Sequence, residues 1–144
     1  MRIPVPRPGL VIRYGFLWSH EAEAGAEESS KDRPCAIVVA TRREDGGEMS
    51  VIVAPVTREP PADTSASLEM PPEVCRKLGL KSDRQWLRFD ELNRFAWPGF
   101  DLSSIPGRNR IDYGMLPQDL FEELRSSILQ RQRSRQARPP IARD

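Results

Sequence analysis

The sequence predicts a mainly β domain of the α+β class, in which a small, strongly bent sheet carries a C-terminal helix. Three observations favour this class. Fourteen prolines interrupt the chain and disfavour long helices, apolar residues alternate over short stretches as they do in strands, and helical periodicity is clear only near the C-terminus. A chain of 144 residues suffices for one domain with a core. We therefore expect a single domain over residues 1–130 and a disordered, Arg/Pro-rich tail over residues 131–144.

The first half of the chain predicts three strands. Residues 10–18 place four apolar side chains on one face, namely Leu10, Ile12, Tyr14 and Phe16, and Gly15 on the other face permits a close backbone approach. Residues 35–41 are continuously apolar, as expected of a strand buried on both faces. A turn over residues 44–47 leads into residues 49–56, which we expect to return as the antiparallel partner.

The second half predicts shorter elements. Residues 67–70 and 85–90 are expected to form strands, and Pro71-Pro72 opens a short helix that Gly79 closes. Residues 91–115 are expected to be mostly loop, and the last helix follows from apolar residues at helical spacing: Leu116, Leu120, Phe121, Leu124, Ile128 and Leu129. About five short strands in this order are typical of an SH3-like barrel rather than a sandwich, which usually has about seven.

Composition excludes several kinds of protein. The formal net charge of +1 argues against a uniformly basic nucleic-acid coat, although a local basic face is still compatible with it. Cys35, Cys75 and His20 are too few for a disulfide framework or a zinc cluster, so we expect no metal and no cofactor. The chain lacks an apolar run of membrane-spanning length and a signal peptide. We therefore expect a cytoplasmic protein with no membrane partner.

One pair of residues suggests a site. Arg33 precedes the buried strand and Thr57 ends its predicted partner, so a hairpin brings both to one end of the sheet, facing the acidic loop over residues 19–32. A guanidinium beside a hydroxyl suits phosphate, because arginine offers forked donors and threonine adds a short directional one.

Four segments around this pair form a recognisable pattern: the strand from Gly9 to Trp18, the segment Gly25…Glu28…Arg33-Pro34, the run Ile37-Val38-Val39, and Val53-Ala54-Pro55-Val56-Thr57. In this pattern the chain resembles the MazF/PemK toxins, which are mRNA-cleaving endoribonucleases of type II toxin–antitoxin systems. The resemblance covers residues 9–57 well. It is weaker over residues 67–130, where the order of strands and helices still agrees.

The resemblance implies a homodimeric SH3-like barrel of the CcdB/MazF/PemK type that is neutralised by a cognate antitoxin. Its expected activity is that of an mRNA interferase, a sequence-selective endoribonuclease that cuts single-stranded RNA without metal and so inhibits translation and growth. The ribose 2′-OH attacks the adjacent phosphate and leaves a 2′,3′-cyclic phosphate and a 5′-OH end. Such a reaction needs a base, an acid and cationic stabilisation of the phosphorane.

The family's functional residues map onto positions of this chain. Arg33 matches the catalytic arginine, Thr57 the catalytic threonine, and Glu28 the glutamate that acts as base in some members. The acidic residue that is common near the end of the first strand is replaced by Gly15. The following loop is longer than in the family and carries His20, an alternative base, so the base is Glu28, His20 or neither.

Four further cations are candidates for contacting RNA: Lys31, Arg58, Arg88 and Arg94. The alternative interpretation is that they are solvated surface charge. Two other functions also stay open. A gyrase poison of the CcdB type has a similar fold, but those proteins contact gyrase through a C-terminal segment containing tryptophan, and no tryptophan follows Trp97 here. The second alternative function is that of a catalytically silent barrel that binds nucleic acid or a protein.

Overall fold

The computed structural model describes residues 2–29, 31–44 and 46–143 of the chain. Within these residues the strands are β1 (Leu10–Tyr14), β2 (Arg33–Arg42), β3 (Met49–Thr57), β4 (Ser67–Glu69), β5 (Trp86–Arg88), β6 (Asn93–Ala96), β7 (Asp112–Met115) and β8 (Ile141–Ala142). The helices are α1 (Ser19–Glu23), α2 (Pro72–Lys77) and α3 (Gln118–Arg133), with a 3₁₀ turn over Thr64–Ala66. The predicted class, mainly β with helices, is confirmed.

Strand β3 is central to the sheet because three other strands pair with it. Strand β2 runs antiparallel along one edge, from the pair Cys35 and Pro55 to the pair Arg42 and Met49. The other edge is shared, since β6 pairs with residues 50–53 and β5 pairs with residues 56–57. The order of neighbours is β4-β5-β3-β2-β1-β7, and β8 joins β6 in parallel. The hairpin predicted between residues 35–41 and 49–56 is thereby confirmed, while Asp45 of its turn lies outside the described residues.

Two apolar clusters cover the two faces of β1, β2 and β3. On one face, α2 and α3 pack against the sheet through buried residues such as Val74, Leu120 and Leu124. On the other face the cluster contains Leu10, Ile12, Tyr14, Phe16, Cys35, Ile37, Val51, Val53, Phe95 and Ile111. Alternate residues of each strand enter opposite clusters, as the period of two requires. The burial on both faces predicted for residues 35–41 is confirmed for residues 35–38 and wrong for the rest, since Val39 and Thr41 are exposed and Ala40 is half-buried.

The end of β1 is the place where the backbone comes closest to a neighbouring loop. A Cβ added to Gly15 would lie 2.6 Å from the Ser29 hydroxyl oxygen and 3.2 Å from a carboxylate oxygen of Asp32. Only glycine fits there without displacing the loop. The predicted close approach at Gly15 is therefore confirmed.

Three elements appear where loops were expected. Strands β6 and β7 lie within residues 91–115, and α1 lies within the acidic loop over residues 19–32. The sequence pattern does not indicate β6, because buried Asn93 interrupts its apolar alternation. It does not indicate α1 either, because a helix of five residues is too short to show a periodicity. None of the helices in the described ranges combines the length and apolar character needed to cross a membrane.

The chain after α3 also differs from the disordered tail that its composition predicts. Helix α3 continues to Arg133, and residues 134–143, called here the C-terminal segment, return to the sheet and end in β8. Arg135 makes the reversal with a φ of 60°, a left-handed conformation that is uncommon outside glycine. Composition could not indicate this path, because the segment is held by specific polar contacts of its arginines rather than by apolar burial.

Candidate nucleic-acid-cleaving site

The strand register brings Arg33 and Thr57 to one end of the sheet. Cys35 pairs with Pro55, and continuing that register by two residues on each strand puts Arg33 opposite Thr57. Thr57 in turn pairs with Trp86 of β5. Both residues follow the alternation that places Cys35, Ile37 and Val53 in the second apolar cluster. Both residues therefore lie at the end of this apolar face.

Trp18 joins two arginines from different strands at this position. The guanidinium carbon of Arg33 is 4.9 Å from the centroid of the Trp18 ring, and that of Arg88 is also 4.9 Å from it. Each contact is a cation–π interaction, which favours a guanidinium at this distance from an indole. Arg33 and Arg88, called here the arginine pair, thus lie close together although their charges repel each other.

Arg88 is the member of the arginine pair that has a carboxylate as a described hydrogen-bond partner. Arg88 donates from Nε and Nη2 to the two carboxylate oxygens of Asp90, at 3.1 and 2.8 Å. This forked arrangement fixes the plane of the guanidinium. The hydrogen bonds to Asp90 raise the pKa of Arg88 above its ordinary value. Arg88 is therefore a fixed positive charge.

Arg33 has a different environment. Burial removes hydration from its charge and lowers the pKa of the Arg33 guanidinium, and the positive charge of Arg88 acts in the same direction. Its Nε is buried, and none of the described residues accepts a hydrogen bond from it. A buried donor without an acceptor costs free energy. An anion that accepted this N–H would remove that cost.

Besides Asp90, three carboxylates act electrostatically on the arginine pair, namely Glu59, Glu21 and Glu91. The negative charge of Glu59 acts on both Arg33 and Arg88, whereas that of Glu21 acts on Arg33. One carboxylate oxygen of Glu21 accepts the backbone N–H of Trp18 at 3.0 Å. The backbone N–H of Glu59 donates to the Thr57 hydroxyl oxygen at 3.2 Å, which ties Glu59 to the end of β3.

No family model matches this chain, and no curated protein matches it either. The site is therefore interpreted from its own residues. Arg33 alone of these residues lines a cleft of about 420 Å³, called here the basic cleft, whose described lining carries six cationic side chains: Arg13, Lys31, Arg33, Arg58, Lys81 and Arg108. Asp32 is its only acidic lining residue among the described ones. Such a surface attracts polyanions.

The structure separates the sequence-predicted residues into two groups. Arg33 and Arg88 meet on the Trp18 ring, Lys31 and Arg58 line the basic cleft, and Thr57 lies at the end of β3, where it pairs with Trp86. Glu28 is exposed in the loop that follows α1, His20 is exposed on α1, and Arg94 is exposed on β6. None of these three lines the basic cleft or has a described contact with the arginine pair.

Sequence reasoning missed Trp18, Asp90 and Glu59. A signal existed for Asp90, because Arg88 and Asp90 are two residues apart on one predicted strand face and can pair there. Trp18 and Glu59 gave no comparable signal, since their places depend on how α1 and the chain after β3 fold back.

Cys35 is not a reactive thiol, although it lies two residues from Arg33. Its side chain is fully buried, and burial raises the pKa of the Cys35 thiol far above its ordinary value. Within residues 2–29, 31–44 and 46–143, no three His, Cys, Asp or Glu side chains are grouped so that they could hold a metal ion.

Proposed function

We propose that this chain is an endoribonuclease toxin of a type II toxin–antitoxin system, with an SH3-like barrel of the MazF/PemK kind, which cuts single-stranded mRNA in the cytoplasm without a metal ion. The observation that carries the proposal is the arginine pair. Two guanidiniums lie on one indole, and that of Arg33 belongs to a residue that also lines the basic cleft, so the pair forms a site for a phosphodiester in a polyanionic strand.

The chemistry assigned to the site is attack of a ribose 2′-OH on the adjacent phosphorus. Negative charge builds up on the phosphate oxygens in the phosphorane, and the two fixed guanidiniums stabilise it. The Thr57 oxygen already accepts the Glu59 backbone N–H, so its own O–H is left to donate to a phosphate oxygen. DNA lacks the 2′-OH and would not be cut.

We assign the general base to Glu59. Its carboxylate is the one that acts on both members of the arginine pair, and its backbone is fixed by Thr57. Glu21 is less suited because Trp18 already occupies one of its oxygens. Glu59, Glu28 and His20 are all exposed, but of these three Glu59 is the one joined to the end of β3, through the hydrogen bond from its backbone N–H to the Thr57 hydroxyl. A carboxylate that takes the 2′-OH proton leaves an alkoxide to form the new bond from the 2′-oxygen to phosphorus, while the bond from phosphorus to the 5′-oxygen breaks and that oxygen takes a proton from water.

The partners follow from charge and from the resemblance. The basic cleft would accept an acidic, extended segment of a cognate antitoxin in place of RNA, since the same cations attract both polyanions. The homodimer is proposed on the resemblance to MazF/PemK toxins.

The proposal is tested by incubating the purified protein with a long single-stranded RNA in EDTA, with single-stranded DNA of the same sequence as the matched control. We expect discrete cuts at a short repeated motif, 2′,3′-cyclic phosphate and 5′-OH ends, and intact DNA. Intact RNA would contradict the proposal.

A silent nucleic-acid-binding barrel is the second candidate, because the basic cleft alone would support binding. It predicts salt-dependent RNA binding without any cleavage. Inhibition of gyrase supercoiling by a protein that leaves RNA intact would point instead to a CcdB-type poison.

A further inference from the structure

The C-terminal segment is built into the sheet by its backbone. The N–H of Ile141 in β8 donates to the carbonyl oxygen of Leu92, and that of Arg143, directly after β8, donates to the carbonyl oxygen of Arg94, both at 2.9 Å. Strand β6 is thus paired on both edges, with β3 on one and β8 on the other. This pairing directs the side chain of Arg143 inwards.

The Arg143 guanidinium is enclosed, with its side chain only 4% exposed. From Nη1 it donates to the carbonyl oxygen of Gly15 at 2.7 Å, and to the Tyr14 hydroxyl and the Asn93 Oδ1 at 3.0 Å each. Its Nη2 is 3.3 Å from a carboxylate oxygen of Asp101. A buried charge with this many acceptors fixes the groups around it, because moving any of them leaves the charge less well solvated.

Arg143 is connected through Asn93 to the backbone next to Trp18, the residue on whose ring the arginine pair lies. The side chain of Asn93, buried and contacted by Arg143, accepts the backbone N–H of Leu17 at 2.9 Å and donates to its carbonyl at 2.8 Å. The contacts of Arg143 with Gly15 and of Asn93 with Leu17 therefore fix the backbone directly before Trp18.

A second arginine of the C-terminal segment, Arg138, contacts the groups that hold the backbone directly after Trp18. Glu91 accepts the backbone N–H of Ser19 at 2.7 Å and its hydroxyl at 2.6 Å. Arg138 donates to the same Glu91 at 3.1 Å and also contacts the Ser19 hydroxyl. The backbone is thus held immediately before and after the tryptophan on which Arg33 and Arg88 lie.

We propose that Arg143 and Arg138 are positioning residues for the arginine pair, acting through Trp18. They touch no substrate. They hold the backbone at Gly15, Leu17 and Ser19, and so determine where the indole presents the two guanidiniums. This inference rests on the proposed function for its effect on rate, whereas its structural part can be measured without any RNA.

The test uses the full chain labelled with 5-fluorotryptophan, which gives one ¹⁹F signal each for Trp18, Trp86 and Trp97. A Trp18→Phe variant assigns the Trp18 signal. Trp97 lines a small cavity together with Arg143, so the Trp86 signal is the internal reference. The variants are Arg143→Lys and Arg138→Ala, and Arg133→Ala on the exposed end of α3 is the matched control.

We expect both variants to shift or broaden the Trp18 signal while the Trp86 signal and the control stay unchanged. In RNA cleavage we expect kcat to fall roughly tenfold to hundredfold with KM nearly unchanged, since small misplacements of catalytic groups cost rates of this order. Arg138→Ala keeps the test decisive if Arg143→Lys does not fold, because Arg138 is largely exposed.

Two results would overturn the inference: a Trp18 signal that coincides with that of the control in the folded variants, or unchanged cleavage despite a shifted signal. Wild-type protein that leaves RNA intact contradicts the proposed function instead. The two failures are thereby distinguished.

Discussion

Arg33 and Arg88 come from strands that are not neighbours in the sheet, yet both guanidinium carbons lie 4.9 Å from the centroid of the Trp18 ring. Strand β3 separates β2 from β5 and contributes Thr57 between them. Two like charges are thus held close together by an indole and by the carboxylate of Asp90, and a phosphate placed there would relieve their repulsion.

Arg33→Ala is expected to lower the rate of RNA cleavage by roughly a hundredfold to a thousandfold, the range measured for removal of one electrostatic stabiliser of a transition state. The variant should keep its fold, because the Arg33 Nε has no acceptor among the described residues. Single-turnover cleavage and a thermal melt measure the two effects. Arg94→Ala, an exposed arginine on β6 outside the cleft, is the matched control and should cut at the wild-type rate. Near wild-type cleavage by Arg33→Ala would place the site elsewhere.

Glu59→Gln is expected to lower kcat roughly a hundredfold with little change in KM, because the amide cannot take the 2′-OH proton but keeps the shape of the side chain. Glu28→Gln and His20→Gln should retain activity. Steady-state cleavage of a short oligoribonucleotide containing one cut site measures all three. A large loss in Glu28→Gln or His20→Gln, with Glu59→Gln active, would assign the base to the residue considered from sequence.

Neutralising the basic cleft is expected to weaken RNA binding without altering the chemistry. Lys81→Gln combined with Arg108→Gln should raise KM and reduce the slope of log K against log salt by about 1.4, since each contact to a single-stranded phosphate contributes about 0.7. Lys77→Gln, exposed at the end of α2, is the control. Fluorescence anisotropy at several salt concentrations gives the slope. An unchanged slope would show that RNA does not contact Lys81 or Arg108.

Cys35 is expected to resist alkylation in the folded protein at pH 8. Burial raises the pKa of the thiol, so the neutral form, which is a poor nucleophile, dominates at this pH. Iodoacetamide labelling followed by mass spectrometry should modify Cys35 only after unfolding in urea. Cys35→Ala should still cut RNA at a rate close to wild type. Rapid labelling in the native state, or loss of cleavage in the variant, would indicate a role for the thiol.

The parts of the site that sequence could indicate are those fixed by strand periodicity. Alternation along residues 35–41 and 49–56 determines a hairpin register, and that register brings Arg33 opposite Thr57. This relationship is local, so the sequence was enough to predict it. Arg88 at the end of β5 and Asp90 two residues later are also close in sequence, and their pairing was missed although a signal for it existed.

The parts that sequence could not indicate depend on contacts between distant segments. Trp18 reaches the arginine pair only because Asn93 and Glu91 hold the backbone on either side of it. Arg143 is buried although it lies in a polar segment, because its acceptors come from β1, β6 and the loop containing Asp101. Composition indicates that such a segment is polar, but it does not indicate which residues of the chain the segment contacts.

Strands β6 and β5 share one edge of β3 and so separate the end of β3 from the loops around it. Selection can therefore act on the site at the end of β3 and on these loops independently. Thr57 ends a strand that both neighbours hold, so the reactive groups change little when nearby loops change. The connections over residues 58–66 and 97–110 leave this framework at its margin, and loops there tolerate insertions and replacements. Under the proposed function, a lineage of such proteins would acquire new nucleotide preferences by altering these connections alone, while the arginine pair stays unchanged.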